Sequence, residues 1–126
     1  MDLTSLSIHE AAIYLERKEI SSVELTRAHL ERIQQVDPRL NSYLTVTPEL
    51  ALQQARQAET EILQGSYKGK LHGIPLALKD LYETEGVRTT AGSSFFADYI
   101  PETDAAAVQR LRAAGERRVL RAAAVV

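Results

Sequence analysis

Cysteine is absent from the sequence, which removes disulfides, thiolate catalysis and most structural zinc sites together and fits a reducing compartment. Histidine is scarce. His9, His29 and His72 are the only imidazoles, and no two have the spacing that sets both on one helix face for a metal. They read as ordinary surface or packing residues, and no metal or cofactor is expected. A net charge of -2 leaves no electrostatic footprint for a polyanion, so no direct nucleic-acid binding is expected. No apolar run approaches the ~18 residues of a membrane span. Met1, Asp2, Leu3 and Thr4 put an acid where a signal peptide carries basic residues, with no apolar stretch behind it, so the expected location is cytoplasmic.

What is present is the composition of a soluble globular protein. The chain has 126 residues, 44% hydrophobic and 25% charged, enough for one domain or part of a larger one. Ser7 to Glu10 and Ser21 to Glu24 have the capping-box form, so a helix is expected to start at each. The first carries Ile8, Ala11, Ala12 and Leu15 at helical spacing and fades at Arg17, Lys18 and Glu19. The second carries Val23, Thr26, Leu30 and Ile33 and is expected to stop at Asp37 and Pro38. Leu40 to Val46 favours a strand. Thr47, Pro48 and Glu49 then predict a hydroxyl-capped helix with Ala51, Ala55, Ala58 and Ile62 as its apolar face and Gly65 as its end.

Gly65 to Gly73 is a glycine-rich, cationic loop. Gly65, Gly69 and Lys70 are one residue short of a phosphate loop and follow a helix where a strand is needed, so that reading is rejected. Ile74 to Leu78 is a short apolar run with the pattern of a strand buried on both faces, Pro75 setting it near a strand start or an edge. Val87 to Thr90 reads as another short strand. Thr103 and Asp104 predict a capped helix through Ala107, Leu111 and Ala114, stopped by Gly115. Helices alternating with short strands give an α/β fold class. No internal repeat and no linker is evident.

Lys79 directly follows the buried run, at the carboxyl edge of the expected sheet, where α/β proteins put their sites. A lysine partly removed from water can act as a base. On spacing alone, a solvated strand end is the simpler account of Lys79 and Asp80. A resemblance reverses that preference. Gly73, Ile74, Pro75, Leu76, Ala77, Leu78, Lys79, Asp80 resembles the lysine motif of the amidase signature family. Ser22 to Thr26, with Asp37, Pro38, Leu40 and Asn41, resembles that family's leading helices and first strand. Gly86 to Ser93 resembles its glycine and threonine segment, and Asp104 to Gly115 its next helix.

The resemblance implies the amino-terminal portion of a mixed sheet flanked by helices. It also implies amide hydrolysis by a serine nucleophile, a second serine held by a cis peptide bond, and a lysine that relays protons through it. Only the lysine role has a position here, Lys79. The two serines belong to a region several tens of residues past the last matching block. Ser93 and Ser94 fall in the wrong block and read as a turn. The implied substrate is a small-molecule amide, and the implied partners are a homodimer mate or amidotransferase subunits, with no membrane. An amidase and the A subunit of the tRNA-dependent amidotransferase share the motif. Leu81 and Tyr82, where the transferase protein is expected to carry a more polar residue such as asparagine, favour the general amidase. A third reading is a truncated product or an interaction module without activity of its own.

Residues 1–115 thus read as the amino-terminal part of an amidase domain and 116–126 as a divergent tail. Glu116, Arg117, Arg118, Val119, Leu120 and Arg121, then three alanines and two valines, suit an ordinary helix or frayed end better than a basic nucleic-acid tail. Unburied apolar faces and a free sheet edge predict poor solubility or disorder past Gly115, and a sharp cooperative unfolding transition would count against that expectation. The abrupt arginine and alanine bias predicts a frameshift or gene-fragment boundary near Gly115. Translating the encoding DNA in its other two frames checks this: a serine-rich continuation is expected in one, and its absence from both defeats the idea.

Overall fold

The computed structural model describes residues 1–114; the expected stop at Gly115 and the 116–126 tail lie outside them. Four helices carry the architecture: α1 (Ile8–Glu16), α2 (Ser22–Leu40), α3 (Pro48–Leu63) and α4 (Ala106–Ala113). Both capping boxes form. Ser7 Oγ accepts the Glu10 amide at 3.2 Å while Glu10 accepts the Ser7 amide at 2.8 Å. Ser21 and Glu24 repeat the exchange at 3.0 and 2.8 Å.

The helix ends are set by left-handed residues. After α1, Lys18 (φ 60°) turns the chain so that its amide reaches the Leu15 carbonyl and that of Glu19 reaches Tyr14. Gly65 (φ 84°) does the same after α3, with Gly65 on Ile62 and Ser66 on Glu61. At α2 the expected stop at Asp37 and Pro38 is overtaken, because the helix runs on to Leu40 with Pro38 inside its last turn. Asp37 holds that turn closed. Its carbonyl accepts the amide of left-handed Asn41 at 2.7 Å, and its carboxylate accepts those of Ser42 at 2.7 Å and Tyr43 at 3.3 Å. These bonds offset the one that proline cannot make.

The apolar stripes largely do what their spacing predicts. Ala51, Ala55, Ala58 and Ile62 are all buried, and the small residues let α3 lie close along α2. In α1, Ala11, Ala12 and Leu15 are buried, but Ile8 is 55% exposed. The main core joins Leu15, Ile20, Leu25, Ile62 and Ile74, and a second cluster packs Leu30 on Ala51. A third seats Leu78 against Val108 of α4. Val108, fully buried, is the inward residue of α4, whereas Ala107 is exposed.

Two expected caps are replaced. Thr47 is the N-cap of α3, yet its hydroxyl does not cap it. Helix α4 begins after Ala105, while Asp104 instead accepts the Glu85 amide at 2.8 Å and pairs with Arg112 at 2.7 Å. The expected strands are also missing: among the described residues there are only isolated bridge positions, such as antiparallel Thr84–Val87, and no strand. Residues 41–46 form a loop, and 74–78 and 87–90 are non-helical without a ladder. A strand exists only through a neighbouring strand that takes its amides and carbonyls in a ladder, whereas Val87 and Thr89 donate singly, to the carbonyls of Thr84 and Tyr99.

Thr26 is wholly buried on α2, and its hydroxyl has no hydrogen-bond partner among the described residues. Thr26→Val keeps the shape and removes the unpaired group, so it is expected to stabilise the α2–α3 layer by about 1 kcal/mol. Amide exchange in α2 should slow roughly fivefold, and acceleration would contradict the assignment.

Candidate active-site segment

The chain reaches the predicted lysine segment through the loop after α3. His72 is 1% exposed in that loop. Its Nδ1 accepts the Lys68 amide at 3.1 Å, which requires an unprotonated Nδ1, so Nε2 carries the proton and donates to Glu61 at 2.9 Å. The Lys68 ammonium meets the same carboxylate oxygen at 2.7 Å, and Tyr67 stacks on the imidazole. His72 is a packing histidine, which agrees with its reading from sequence. Among the described residues, no group of three or more acidic or imidazole side chains is arranged to hold a metal.

Gly73 follows at φ 94° and is wedged among three helices. An added Cβ would lie 3.2 Å from Leu15 of α1, 3.3 Å from Ile62 of α3 and 3.4 Å from Ser22 of α2. Ser22 Oγ donates to the Gly73 carbonyl at 2.6 Å, so the first residue of the motif is fixed to the helical layer by shape and by a hydrogen bond. From there the backbone crosses to α4. Ile74 enters the main core and Leu78 the cluster around Val108.

Around Lys79 the side chains alternate: Leu78 is buried, Lys79 exposed and Asp80 buried. Asp80 fastens the second motif. Its Oδ1 accepts the Thr90 amide at 2.9 Å, its Oδ2 accepts the Thr90 hydroxyl, and its carbonyl accepts the Ala91 amide at 2.8 Å. The Lys79 carbonyl accepts the Tyr82 amide at 3.1 Å, closing a turn. Lys79 is therefore held by its backbone on both sides, while among the described residues no group pairs with its ammonium. The burial expected for a proton-transferring lysine is not supplied by these residues.

Sequence reasoning named Gly73–Asp80 and Gly86–Ser93 separately, and the structure joins them through Asp80 and Thr90. Thr89 and Thr90 are 3% and 4% exposed and so face inward, which their place in the sequence does not signal. Ser22 was likewise seen only as part of a helix start. Ser93 caps the short 3-10 turn Ser94–Phe96 by accepting the Phe95 amide at 3.2 Å, so Ser93 and Ser94 lie in a turn as expected.

In comparison with known proteins, residues 24–119 match the family model described as Amidase, a stretch that runs past Gly115. The chain is 50% identical over 115 residues to the A subunit of the glutamyl-tRNA(Gln) amidotransferase of Geobacter metallireducens, covering 91% of this chain and 24% of that one. It is 43% identical over 113 residues to a putative amidase of Mycobacterium bovis, covering 90% and 24%. The solved peptide amidase of Stenotrophomonas maltophilia superposes with a TM-score of 0.82 at 33% identity, over 94% of this chain and 24% of that one. The chain thus spans about a quarter of the length of these relatives.

Three substitutions separate support from exposure in this segment. Gly73→Ala puts a side chain on a left-handed residue and presses it against Leu15 and Ile62 at 3.2 and 3.3 Å, and is expected to cost about 3 kcal/mol. That is roughly a hundredfold in amide exchange across α1 and the start of α2. Asp80→Ala strands the Thr90 amide and hydroxyl and is expected to cost a similar ~3 kcal/mol, read at the Thr90 and Ala91 amides. Lys79→Ala should leave both regions unchanged, and a loss of protection there as large as that of Asp80→Ala would show Lys79 to be structural.

Proposed function

The chain belongs to the amidase family, and from that premise we propose that it is the lysine-bearing part of a serine-dependent enzyme that splits a carboxamide into acid and ammonia or amine. The observation that carries the reading is the placement of Lys79, an exposed cation with no partner among the described residues, between two buried neighbours that hold its backbone in register. Lys79 has no structural task among the described residues, which leaves its amine for chemistry.

In the proposed mechanism a serine hydroxyl attacks the amide carbonyl and its proton passes through a bridging serine to the Lys79 amine. The resulting ammonium returns a proton by the same route to the leaving nitrogen. Backbone amides beside the nucleophile hold the oxyanion. Both serines would come from the part of the fold that this chain does not span. The same part, laid over Lys79, would take its amine out of water, as proton transfer by lysine asks. It would also lend segments 74–78 and 87–90 the neighbours that turn them into strands of a mixed sheet. The substrate is a small-molecule amide.

A second reading is the A subunit of a tRNA-dependent amidotransferase, working with partner subunits and releasing ammonia from glutamine. The identity of 50% to such a protein, against 43% to a putative amidase, favours it; Leu81 and Tyr82 after Asp80 stand on the other side. Glutaminase activity that depends on partner subunits distinguishes the two.

Alone, the 126-residue chain is expected to hydrolyse no amide, and turnover of simple amides that Lys79→Ala abolishes would overturn this. With residues 3–114 grafted in place of the matching segment of the Geobacter metallireducens amidotransferase protein, Lys79→Ala should lower kcat by about 10²–10⁴-fold. A kcat within a few fold of the unsubstituted graft would remove the lysine from the mechanism.

A further inference from the structure

Between α3 and Gly73 lies a buried imidazole to which the catalytic reading gives no part. His72 is 1% exposed, and its two ring nitrogens have opposite duties. Nδ1 accepts the Lys68 amide at 3.1 Å, while Nε2 donates to a Glu61 oxygen at 2.9 Å. The His72 amide reaches back to the Gly69 carbonyl at 2.9 Å, so ring and backbone together draw residues 68–72 into one closed turn. His72 also directly precedes Gly73, whose carbonyl is held by Ser22. The turn therefore stands at the entry to the lysine segment.

We propose that His72 is an acid-sensitive latch: a proton taken up at Nδ1 releases the Lys68 amide and opens the turn. An imidazolium carries N–H at both ring nitrogens and accepts nothing. Protonated in place, Nδ1 would set its N–H against that of Lys68, two donors 3.1 Å apart on a buried ring. Among the described residues, the groups that face the ring are Glu61 of α3 and, from the loop itself, the Lys68 ammonium and the Tyr67 ring. Glu61 favours the proton, but the Lys68 ammonium already meets the same carboxylate oxygen at 2.7 Å and offsets much of that attraction. Tyr67 adds no charge, because burial, with Glu16 of α1, pushes its phenol up. The lost acceptor and the added buried charge therefore prevail over the carboxylate. In the open turn His72 meets water and regains its ordinary affinity for protons, with a midpoint near about pH 6.5. The closed turn binds that proton less tightly. Closure is thus at full strength above about pH 6.5 and weakens by up to roughly tenfold per pH unit below it, until the closed form is itself protonated.

The test follows amide exchange in the 126-residue chain at about pH 7.5 and about pH 5.5, corrected for intrinsic rates, together with the NMR titration of the His72 ring. Protection of the Lys68 and His72 amides is expected to fall about tenfold at the lower pH while Leu25 and Leu30 of α2 keep theirs. His72→Asn offers an amide oxygen near the place of Nδ1 and does not titrate, so in this variant the two amides should keep equal protection at both pH values. The ring itself should titrate below about pH 6.5, with Nε2 carrying the proton of the neutral form. A higher midpoint, or a neutral form protonated at Nδ1, overturns the proposal, since Glu61 would then hold the turn more tightly in acid. So does an equal loss of protection in His72→Asn, which would assign the titrating group elsewhere, or a loss shared by α2, which would mark global unfolding. The ring titration decides alone if the variant does not fold.

Discussion

Around Gly73, Leu15, Ser22 and Ile62 close on a backbone where an added methyl would meet them at 3.2 to 3.4 Å, and Ser22 holds the carbonyl at 2.6 Å. Everything described downstream hangs from that contact. The three helices gain a common contact, and the chain leaving it is aimed across the layer so that Ile74 and Leu78 fall into different apolar clusters. The direction of Lys79 follows from this path, since a chain anchored inward at Leu78 and Asp80 must turn the residue between them outward. A glycine with a left-handed φ is therefore an architectural residue here, although it lies six positions before the lysine.

A second constraint joins distant parts of the sequence. Asp80 and Thr90 turn two short motifs into one loop pair, and Tyr99 extends that unit through Thr89 and Glu83. The bonds join buried Asp80 to the amide and hydroxyl of Thr90, backbone amides to the carbonyls of Asp80 and Tyr99, and the Tyr99 hydroxyl to Glu83. They fix loop shape without a sheet, in the place where a ladder would ordinarily do so.

Helix starts and apolar faces were legible in the sequence because both depend on residues within one or two turns of each other. The paired serine–glutamate boxes and the alanine stripe of α3 need no knowledge of the rest of the molecule. Leu40–Val46 reads as a strand from β-favouring residues and Ile74–Leu78 from a short apolar run between turn signals, and neither signal says which backbone will pair with the segment. Pro38 was read as a stop by its own chemistry, and the bonds from Asp37 that carry the helix past it were visible only in three dimensions. At the site, Lys79 was readable from its motif. Its support by Asp80 and Thr90 was not, since a contact across ten residues leaves no periodicity.

The alternation at Leu78, Lys79 and Asp80 divides labour between atoms that never touch. The side chains that shape this loop point inward, and the one that could react points outward and bears no weight. Selection for a stable fold and selection for turnover would consequently act on separate positions within a single tripeptide. A lineage could lose the amine by drift and keep every contact that shapes the loop. The scaffold would persist as a fossil of the chemistry, open to reuse as a surface for assembly.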